Sequence, residues 1–356
     1  VTETYTVTIE PLDREVECAE DQPILDACLR AGVWLPHACT HGTCGTCKLQ
    51  VLDGDVEHND SSDFALMEFE RTEGKALICV ATPTSDVTLE ADVEIEEGVT
   101  YHPVNDYRGT LVALTDVARE TRRLVIELDA PMAFNPGQYV MLSVPGQGVT
   151  RTYSMANPPS EPNRIELQVR RTPGGLGTDG WIFSDLAVGD EIEISGPYGR
   201  FFLREARPEP AILIGGGTGL APLKSIIRHV LEQGTGQRLY LYQGARGQAD
   251  LYDVEFYRDL ETRFPDQFTY RPCLSHEEWE DNPGNGATGM VTEVVAADFE
   301  TCRKHTAYLC GPPPMVEAAL KTLMRKRLFP KDIYREDFFD TSDKETGGVR
   351  SPLLRA

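Results

Sequence analysis

Long apolar runs are missing from this sequence. No stretch of its 356 residues approaches the roughly 18 to 20 consecutive apolar positions of a membrane span, so no membrane contact is expected. Basic residues are scarce: 34 Lys and Arg stand against 57 Asp and Glu, a net charge of -23. That balance excludes a nucleic-acid ligand, whose phosphates need the opposite sign. The N-terminal stretch lacks both a basic segment and an apolar core of secretory type, and a cytoplasmic setting is expected. A disulfide framework is also missing. Nine cysteines, an odd number spread unevenly, point in a reducing compartment to metal ligation or buried thiols. No internal repeat is present.

What is there is a chain long enough for two or three domains, with its charge unevenly placed. Residues 1–98 hold 22 Asp and Glu against 5 Lys and Arg, a net -17, and the rest of the chain contributes -6. One reading is a solvated acidic surface; the sharper one is a lobe steered toward a basic patch on a protein partner. Alternation at Tyr5–Ile9 and Glu15–Cys18 predicts a hairpin. Pro23, the apolar residues from Ile24 to Ala31 and Gly32 predict a helix with its start and stop signals. Strands are expected at Lys48–Leu52, Leu77–Ala81 and Val87–Leu89, with a helical patch around Phe64–Phe69. The acidic, patternless stretch from Ala91 to Asn105 is read as a linker that lets the first module swing. Short strands with Gly and Pro turns from Gly109 to Ser195 predict an antiparallel barrel. Buried strands at Ala211–Ile214, Arg238–Gln243, Phe268–Cys273 and Ala307–Cys310, alternating with helices, predict a parallel α/β sheet.

Cys39, Cys44 and Cys47 follow C-x4-C-x2-C, and Cys79 follows after 31 intervening residues, at the end of a predicted strand. This is plant-type [2Fe-2S] spacing: three thiolates reach the cluster from one tight loop, whose Gly42 and Gly45 let the backbone come close. A structural zinc site would pair two C-x2-C units, and only one is present. Cys18, Cys28, Cys273 and Cys302 read as buried or idle thiols. The loop Cys39–Cys47 resembles that of β-grasp ferredoxin domains, with His41 a local packing residue.

Arg151-Thr-Tyr-Ser154 resembles the flavin motif of the ferredoxin-NAD(P)+ reductase superfamily. The resemblance assigns Arg151 to a pyrophosphate, Tyr153 to the flank of the flavin ring and Ser154 to flavin N5, with Thr152 beside them. Gln168-Val169-Arg170, followed by Gly174, Gly175, Gly177 and Thr178, is similar to the family's second element, a glycine loop running into a helix that holds the pyrophosphate. FAD is implied over FMN.

Gly215-Gly-Gly-Thr-Gly-Leu-Ala-Pro222 lies between an apolar strand and a helix ending near Gln233. A glycine run placed so cradles a diphosphate. It departs from G-x-G-x-x-G but is similar to the superfamily's nucleotide loop, which implies Gly216, Gly217, Thr218, Gly219 and Pro222 in NAD binding. Cys310-Gly311-Pro312-Pro-Pro-Met315 resembles the family's C-G-P-x-x-M element, implying Cys310 near nicotinamide C4. Glu336-Asp-Phe338 resembles the pattern in which an aromatic ring covers the flavin, with Phe339 as the rival to Phe338. Gln243-Gly-Ala-Arg246 and Asp250 resemble NADH-using members, although Arg246 could also face a 2'-phosphate.

The boundaries that follow are residues 1–92 for a ferredoxin-type domain, 93–105 for a linker, 106–206 for an FAD barrel, 207–340 for an NAD-binding α/β domain and 341–356 for a disordered tail. The order resembles the reductase components of bacterial multicomponent oxygenases. The Trp34-Leu-Pro36 and Phe64-Ala-Leu-Met67 stretches are most similar to those of soluble di-iron monooxygenases of the phenol, propane and methane type. The resemblance implies an NADH-dependent oxidoreductase, monomeric when free, that passes electrons from NADH through FAD and [2Fe-2S] to an oxygenase hydroxylase docked by the acidic domain. Ser154, Cys310 and Phe338 are implied at the reacting centre. The alternatives are the reductase of a Rieske-type dioxygenase and, from another class, a non-catalytic redox sensor or scaffold.

Overall fold

A computed structural model describes residues 2–91, 93, 96, 98–279 and 286–338. Phe339, the expected tail 341–356 and linker positions 92, 94, 95 and 97 lie outside the described residues. The chain divides into two units, one of 1–105 with 196–200 and 339–356, the other of 106–195 and 201–338. None of the described helices is long and apolar enough to cross a membrane.

In the first unit, β1 (Thr4–Glu10) and β2 (Arg14–Ala19) form the predicted hairpin. Val7, Ile9, Val16 and Cys18 are turned inward, which is the alternation a sheet with one covered face requires. Helix α1 (Ile24–Arg30) starts after Pro23 and ends before Gly32, whose φ of 74° suits glycine just past a helix end. Strands β3 (Lys48–Asp53), β4 (Val56–Glu57), β5 (Lys75–Leu77), β6 (Thr82–Pro83) and β7 (Val87–Glu90) follow, with α2 (Glu68–Thr72) between β4 and β5. The main sheet runs β2-β1-β7-β3-β5, with β1 and β7 parallel and its other pairs antiparallel.

Two expectations are corrected here. The strand expected at Leu77–Ala81 ends at Leu77, and Cys79 occupies the turn that follows. The helical patch expected at Phe64–Phe69 is displaced to Glu68–Thr72, because the Glu70 carboxylate accepts the Met67 N–H at 3.0 Å and sets the start there. Part of the expected linker is packed: Trp34 Nε1 donates to the His102 carbonyl at 3.1 Å, Val104 N–H donates to the Leu29 carbonyl at 3.2 Å, and the Val104 side chain is buried.

In the second unit, β8 (Asn105–Ala118), β9 (Thr121–Leu128), β10 (Tyr139–Val144), β11 (Val149–Ser154), β12 (Arg164–Arg170) and β13 (Glu191–Tyr198) form a six-stranded sheet ordered β11-β10-β13-β8-β9-β12. A Met155–Leu167 bridge joins its two ends, closing the barrel around Leu111, Ile126, Leu142, Met155, Leu167 and Trp181. The second sheet has β14 (Ala211–Gly216), β15 (Leu239–Ala245), β16 (Phe268–Leu274), β17 (Ala287–Thr288), β18 (Thr306–Gly311) and β19 (Ile333–Asp337) in the order β17-β16-β15-β14-β18-β19. Every neighbouring pair in it is parallel. Helices α3 (Leu220–Gln233), α4 (Val254–Arg263), α5 (Val291–Asp298) and α6 (Pro313–Arg325) make the connections. From β14 the chain goes first to β15, and later returns to β14's other side as β18. That reversal opens a crevice at the carboxyl ends of β14 and β18, where ligands of such sheets bind.

Candidate functional site: a four-thiol loop and a glycine-lined crevice

The cysteine loop owes its shape to backbone that only certain residues adopt readily. Gly42 and Gly45 have φ of 76° and 74°, and a Cβ on Gly42 would lie 3.0 Å from the Asp60 carbonyl. The Cys44 N–H points at Cys39 Sγ, 3.4 Å away. Hydrogen bonds from the Cys44 and Cys79 thiols hold Cys39 well below the usual thiol range, while contacts with Cys39 and Cys47 push Cys79 well up. The four predicted ligands therefore meet at one place. Among the described residues no three His, Cys, Asp or Glu side chains gather as ligands of a single ion. A two-iron cluster distributes its four thiolates in pairs over two irons, so a donor set of this kind fits the larger group. His41 is exposed and hydrogen-bonds the Cys39 carbonyl through Nδ1 at 2.6 Å. Cys18, Cys28, Cys273 and Cys302 are buried, with thiols pushed up by burial to about 12, 12, 12 and 11.

Sequence reasoning passed over His37, two residues before the first ligand. Its buried ring donates from Nδ1 to the Leu35 carbonyl at 2.8 Å and accepts the Gly199 N–H at Nε2, 3.0 Å away. Those neighbours set the tautomer.

In the crevice, the separate motifs come together through glycines. A Cβ on Gly219 would lie 2.1 Å from the Cys310 carbonyl, one on Gly216 2.6 Å from Met315 Sδ, and one on Gly177 2.8 Å from Arg151 Cγ and 3.3 Å from the Tyr153 hydroxyl. Contacts below 3.0 Å leave no room for any side chain, so the nucleotide loop sits directly against Cys310–Met315, and the 174–178 loop directly against Arg151–Ser154. Arg170 Nη1 stands 3.9 Å from the Cβ position of Gly217. Arg151 packs on Gly177 and the Arg170 guanidinium stands beside Gly217, and guanidiniums beside glycine loops fit phosphate groups.

The helix expected after the second glycine loop is a single π-type turn, Thr178–Ile182. Thr178 closes this loop on itself, accepting the Thr172 N–H at 3.0 Å and donating to the Thr172 carbonyl at 3.1 Å. Helix α3, by contrast, matches the expected end at Gln233, capped by Gly234 at φ 63°. Pro222 is buried in its first turn.

Cys310 pairs in register with Gly215 on one side and Glu336 on the other. Its thiol is fully buried, and burial, helped by the charges of Glu336 and Asp337, holds it well above the usual range, so it stays protonated. Ser154 Oγ lies 3.4 Å from Glu336 Oε2. Ser154 and Glu336 thus meet beside the buried Cys310, and Phe338 packs on the same core. Glu336 entered the sequence reading only as a letter of a motif; its place opposite Cys310 depends on β19 joining the sheet, a strand without an alternating pattern.

Arg246 and Asp250 lie at the turn that follows β15, whose end pairs with the nucleotide-loop strand β14. Arg246 is exposed at the end of β15. Asp250 is taken up by Arg119, which donates to both of its oxygens at 2.9 and 2.6 Å; burial pushes the carboxyl up, but these bonds outweigh it and hold it below the usual range. Asp250 also accepts the Gly247 N–H at 3.2 Å, and a second carboxylate faces the 246–248 turn: Glu277 accepts the Gln248 N–H at 2.8 Å and would lie 2.1 Å from a Cβ on Gly247. Twenty-nine residues separate Gln248 from Glu277, and no local signal connects them.

Comparison with known proteins places three family models on the chain: a 2Fe-2S iron-sulfur cluster binding domain over residues 7–84, an oxidoreductase FAD-binding domain over 108–203 and an oxidoreductase NAD-binding domain over 213–321. The chain is 46% identical to the reductase component of phenol 2-monooxygenase from Pseudomonas sp. (strain CF600), over 99% of both chains. It is 39% identical to the reductase component of propane 2-monooxygenase from Rhodococcus jostii (strain RHA1), covering 93% of this chain and 90% of that one. Among solved structures, an Amycolatopsis cytochrome P450 reductase matches with a TM-score of 0.87 and 43% identity, covering 94% of this chain and 99% of that one. With a 2Fe-2S domain, an FAD-binding domain and an NAD-binding domain in one polypeptide, the chain belongs to the family of oxidoreductases that serve as reductase components of multicomponent monooxygenases.

Proposed function

We propose that this reductase draws electrons from NADH and delivers them singly to the hydroxylase of a soluble di-iron monooxygenase of the phenol hydroxylase type. Bound FAD turns a two-electron donor into a one-electron source, and a [2Fe-2S] cluster carries the electrons onward. Residues 1–92 would hold the cluster through Cys39, Cys44, Cys47 and Cys79, residues 93–105 connect, 106–206 hold FAD and 207–340 hold the nucleotide. Arg151 and Arg170 would bind phosphate oxygens as guanidiniums bind them. The 216–219 amides would hold the nucleotide diphosphate, and the protonated Cys310 and Ser154 would position the two rings. Phe338 would cover the flavin until nicotinamide arrives. No side chain need donate or remove a proton, so the residues orient, exclude water and tune. The observation that carries the reading is the meeting of the Cys310, Gly216–Gly219, Ser154 and Phe338 segments at one crevice.

The acceptor is proposed to dock on the acidic first unit. Phe64, Met67 and Phe69 are exposed there, Phe64 by 66%, and the Ala65 carbonyl lies 3.6 Å from the Cβ position of Gly45 in the cysteine loop. An apolar patch beside the cluster loop and inside a strongly acidic lobe suits a basic partner surface. The similarity to an Amycolatopsis cytochrome P450 reductase supports a second reading, in which the acceptor is a haem protein. A cytoplasmic setting accords with nine cysteines and no disulfide among the described residues.

Anaerobic titration with NADH and then NADPH, followed by visible absorption and by EPR, tests the path. Flavin bleaching with a reduced [2Fe-2S] signal at low NADH is expected. Flavin bleaching without a cluster signal would overturn the role of the four cysteines. Activity with isolated di-iron, P450 and Rieske oxygenases separates the acceptors, and negligible turnover with an artificial acceptor would leave a sensor or scaffold.

A further inference from the structure

Tyr252 lies outside every motif, immediately before α4, and only 4% of it is exposed. Its hydroxyl reaches two acceptors, the Gly217 carbonyl at 2.8 Å and Gln168 Oε1 at 3.1 Å. A phenol has one proton, so the closer Gly217 carbonyl takes it. Gly217 opens the nucleotide loop with φ of 55°, in the left-handed region where glycine moves freely. Its peptide with Thr218 is planar and trans, so the Thr218 N–H points opposite to the Gly217 carbonyl. Leu220 N–H also donates to that carbonyl, which directs it along the helix and leaves Thr218 N–H among the first-turn donors that a helix cannot pair internally.

The tyrosine is itself held on several sides. Its carbonyl accepts from Gln243 Nε2 at 3.3 Å. Its neighbour Asp253 accepts from Lys224 of α3 at 2.8 Å and from Gln168 Nε2 at 3.1 Å. The Gln168 amide is thereby turned so that its oxygen faces the phenol. The phenol thus sits between strand β12 and the glycine loop, with its one proton on the Gly217 carbonyl.

We propose that Tyr252 is a positioning residue for the diphosphate of the pyridine nucleotide: it grips the Gly217 carbonyl and so fixes the Thr218 N–H, directed out of the loop, before the ligand arrives. The inference rests on the nucleotide reading of the 216–219 loop. Without the hydroxyl, the Gly217 carbonyl keeps the Leu220 N–H alone, so the Gly217–Thr218 peptide is held less firmly and has to be ordered further at binding, which weakens affinity while leaving the bound geometry intact. Tyr257 supplies the contrast: it is fully buried and its hydroxyl has no partner among the described groups.

The test uses the full-length, flavin- and cluster-loaded protein with Y252F and, as control, Y257F. Calorimetric titration with NAD+ and with ADP-ribose, which carries the diphosphate without nicotinamide, reads affinity. Stopped-flow reduction at saturating NADH reads the bound geometry, and hydrogen exchange of the segment 215–220 without ligand reads the peptide. Y252F is expected to weaken both ligands by about tenfold, the scale of one hydrogen bond. It should accelerate exchange at the loop and keep the saturating reduction rate within about twofold, whereas Y257F should change none of these. Unchanged ADP-ribose affinity in Y252F, equal effects of both variants, or a Y252F that no longer folds would overturn the inference. If the parent chain itself bound neither ligand, the nucleotide reading of the loop would fall first, and the inference with it.

Discussion

The backbone N–H of Phe338 donates to the carbonyl of Gly311, 3.0 Å away. That bond extends the register of β18 and β19 by one more step beyond the Gly311–Asp337 pair, and anchors an aromatic residue at the residue that follows Cys310. With its backbone fixed and its side chain only partly buried, the ring can turn without disturbing the sheet. If it occupies the place nicotinamide needs, Phe338→Ala tightens NAD+ by about tenfold, on the scale of one aromatic contact no longer displaced. Calorimetric titration of the variant checks this, and an unchanged or weaker affinity would count against the covering role.

The cysteines divide into two sets with opposite expectations. Serine at Cys39, Cys44, Cys47 or Cys79 should each abolish the visible and EPR signature of the cluster, since a ligand is lost. Serine at Cys18 or Cys302, where burial holds the thiol up to about 12 and 11, should leave iron content intact. Iron and sulfide analysis of purified variants decides, and loss of iron in either of the second pair would mean the ligand set is misassigned.

Choice between NADH and NADPH is predicted to lie with Glu277. Its carboxylate fills the space beside Gly247 at the end of the strand next to the nucleotide loop, where an acidic group accepts from a ribose 2'-hydroxyl and repels a 2'-phosphate. Glu277→Lys should therefore improve kcat/KM for NADPH by at least about tenfold, from removal of a like charge and gain of an opposite one. Steady-state reduction of an artificial acceptor with both donors reads the ratio; a variant with the parent's preference would place selection elsewhere, with exposed Arg246 next to be tried.

A buried ionic cluster joins the barrel to the α/β sheet within the second unit. Lys224, with 6% of its side chain exposed, donates to Glu166 and to Asp253 at 2.8 Å each, and Arg123 pairs with both carboxylates. Lys224→Met would leave two acids sharing Arg123 alone. Removing one partner of a buried ion network costs about 3–5 kcal/mol, so urea unfolding should show a loss of that size. A loss below about 1 kcal/mol, the range of exposed pairs, would mean that water reaches the cluster in solution.

The elements legible beforehand were those whose signals are local. The C-x4-C-x2-C spacing, the glycine run after an apolar strand, the Pro23 and Gly32 ends of α1, and the alternation of β1 and β2 each follow from the conformation a few adjacent residues can adopt. Less local features were misread in proportion. Cys79 was expected on a strand that stops two residues earlier, and the helix expected after the second glycine loop is one turn long. In both places hydrogen bonds that close a turn, from Val80 N–H to the Leu77 carbonyl and between Thr172 and Thr178, decide where the regular structure ends.

The sequence alone determined the kinds of chemistry this protein carries, because thiolate spacing, glycine loops and charge balance act through covalent connectivity and short-range sterics. Only the tertiary structure decided which distant residues share a site. Glu336 reaches Ser154 from 182 positions away, Glu277 joins Asp250 beside Gly247 from 29 positions beyond Gln248, and Tyr252 reaches the Gly217 carbonyl. Such pairings depend on strand order and register, which buried side chains throughout a sheet set jointly, and no window of sequence contains them.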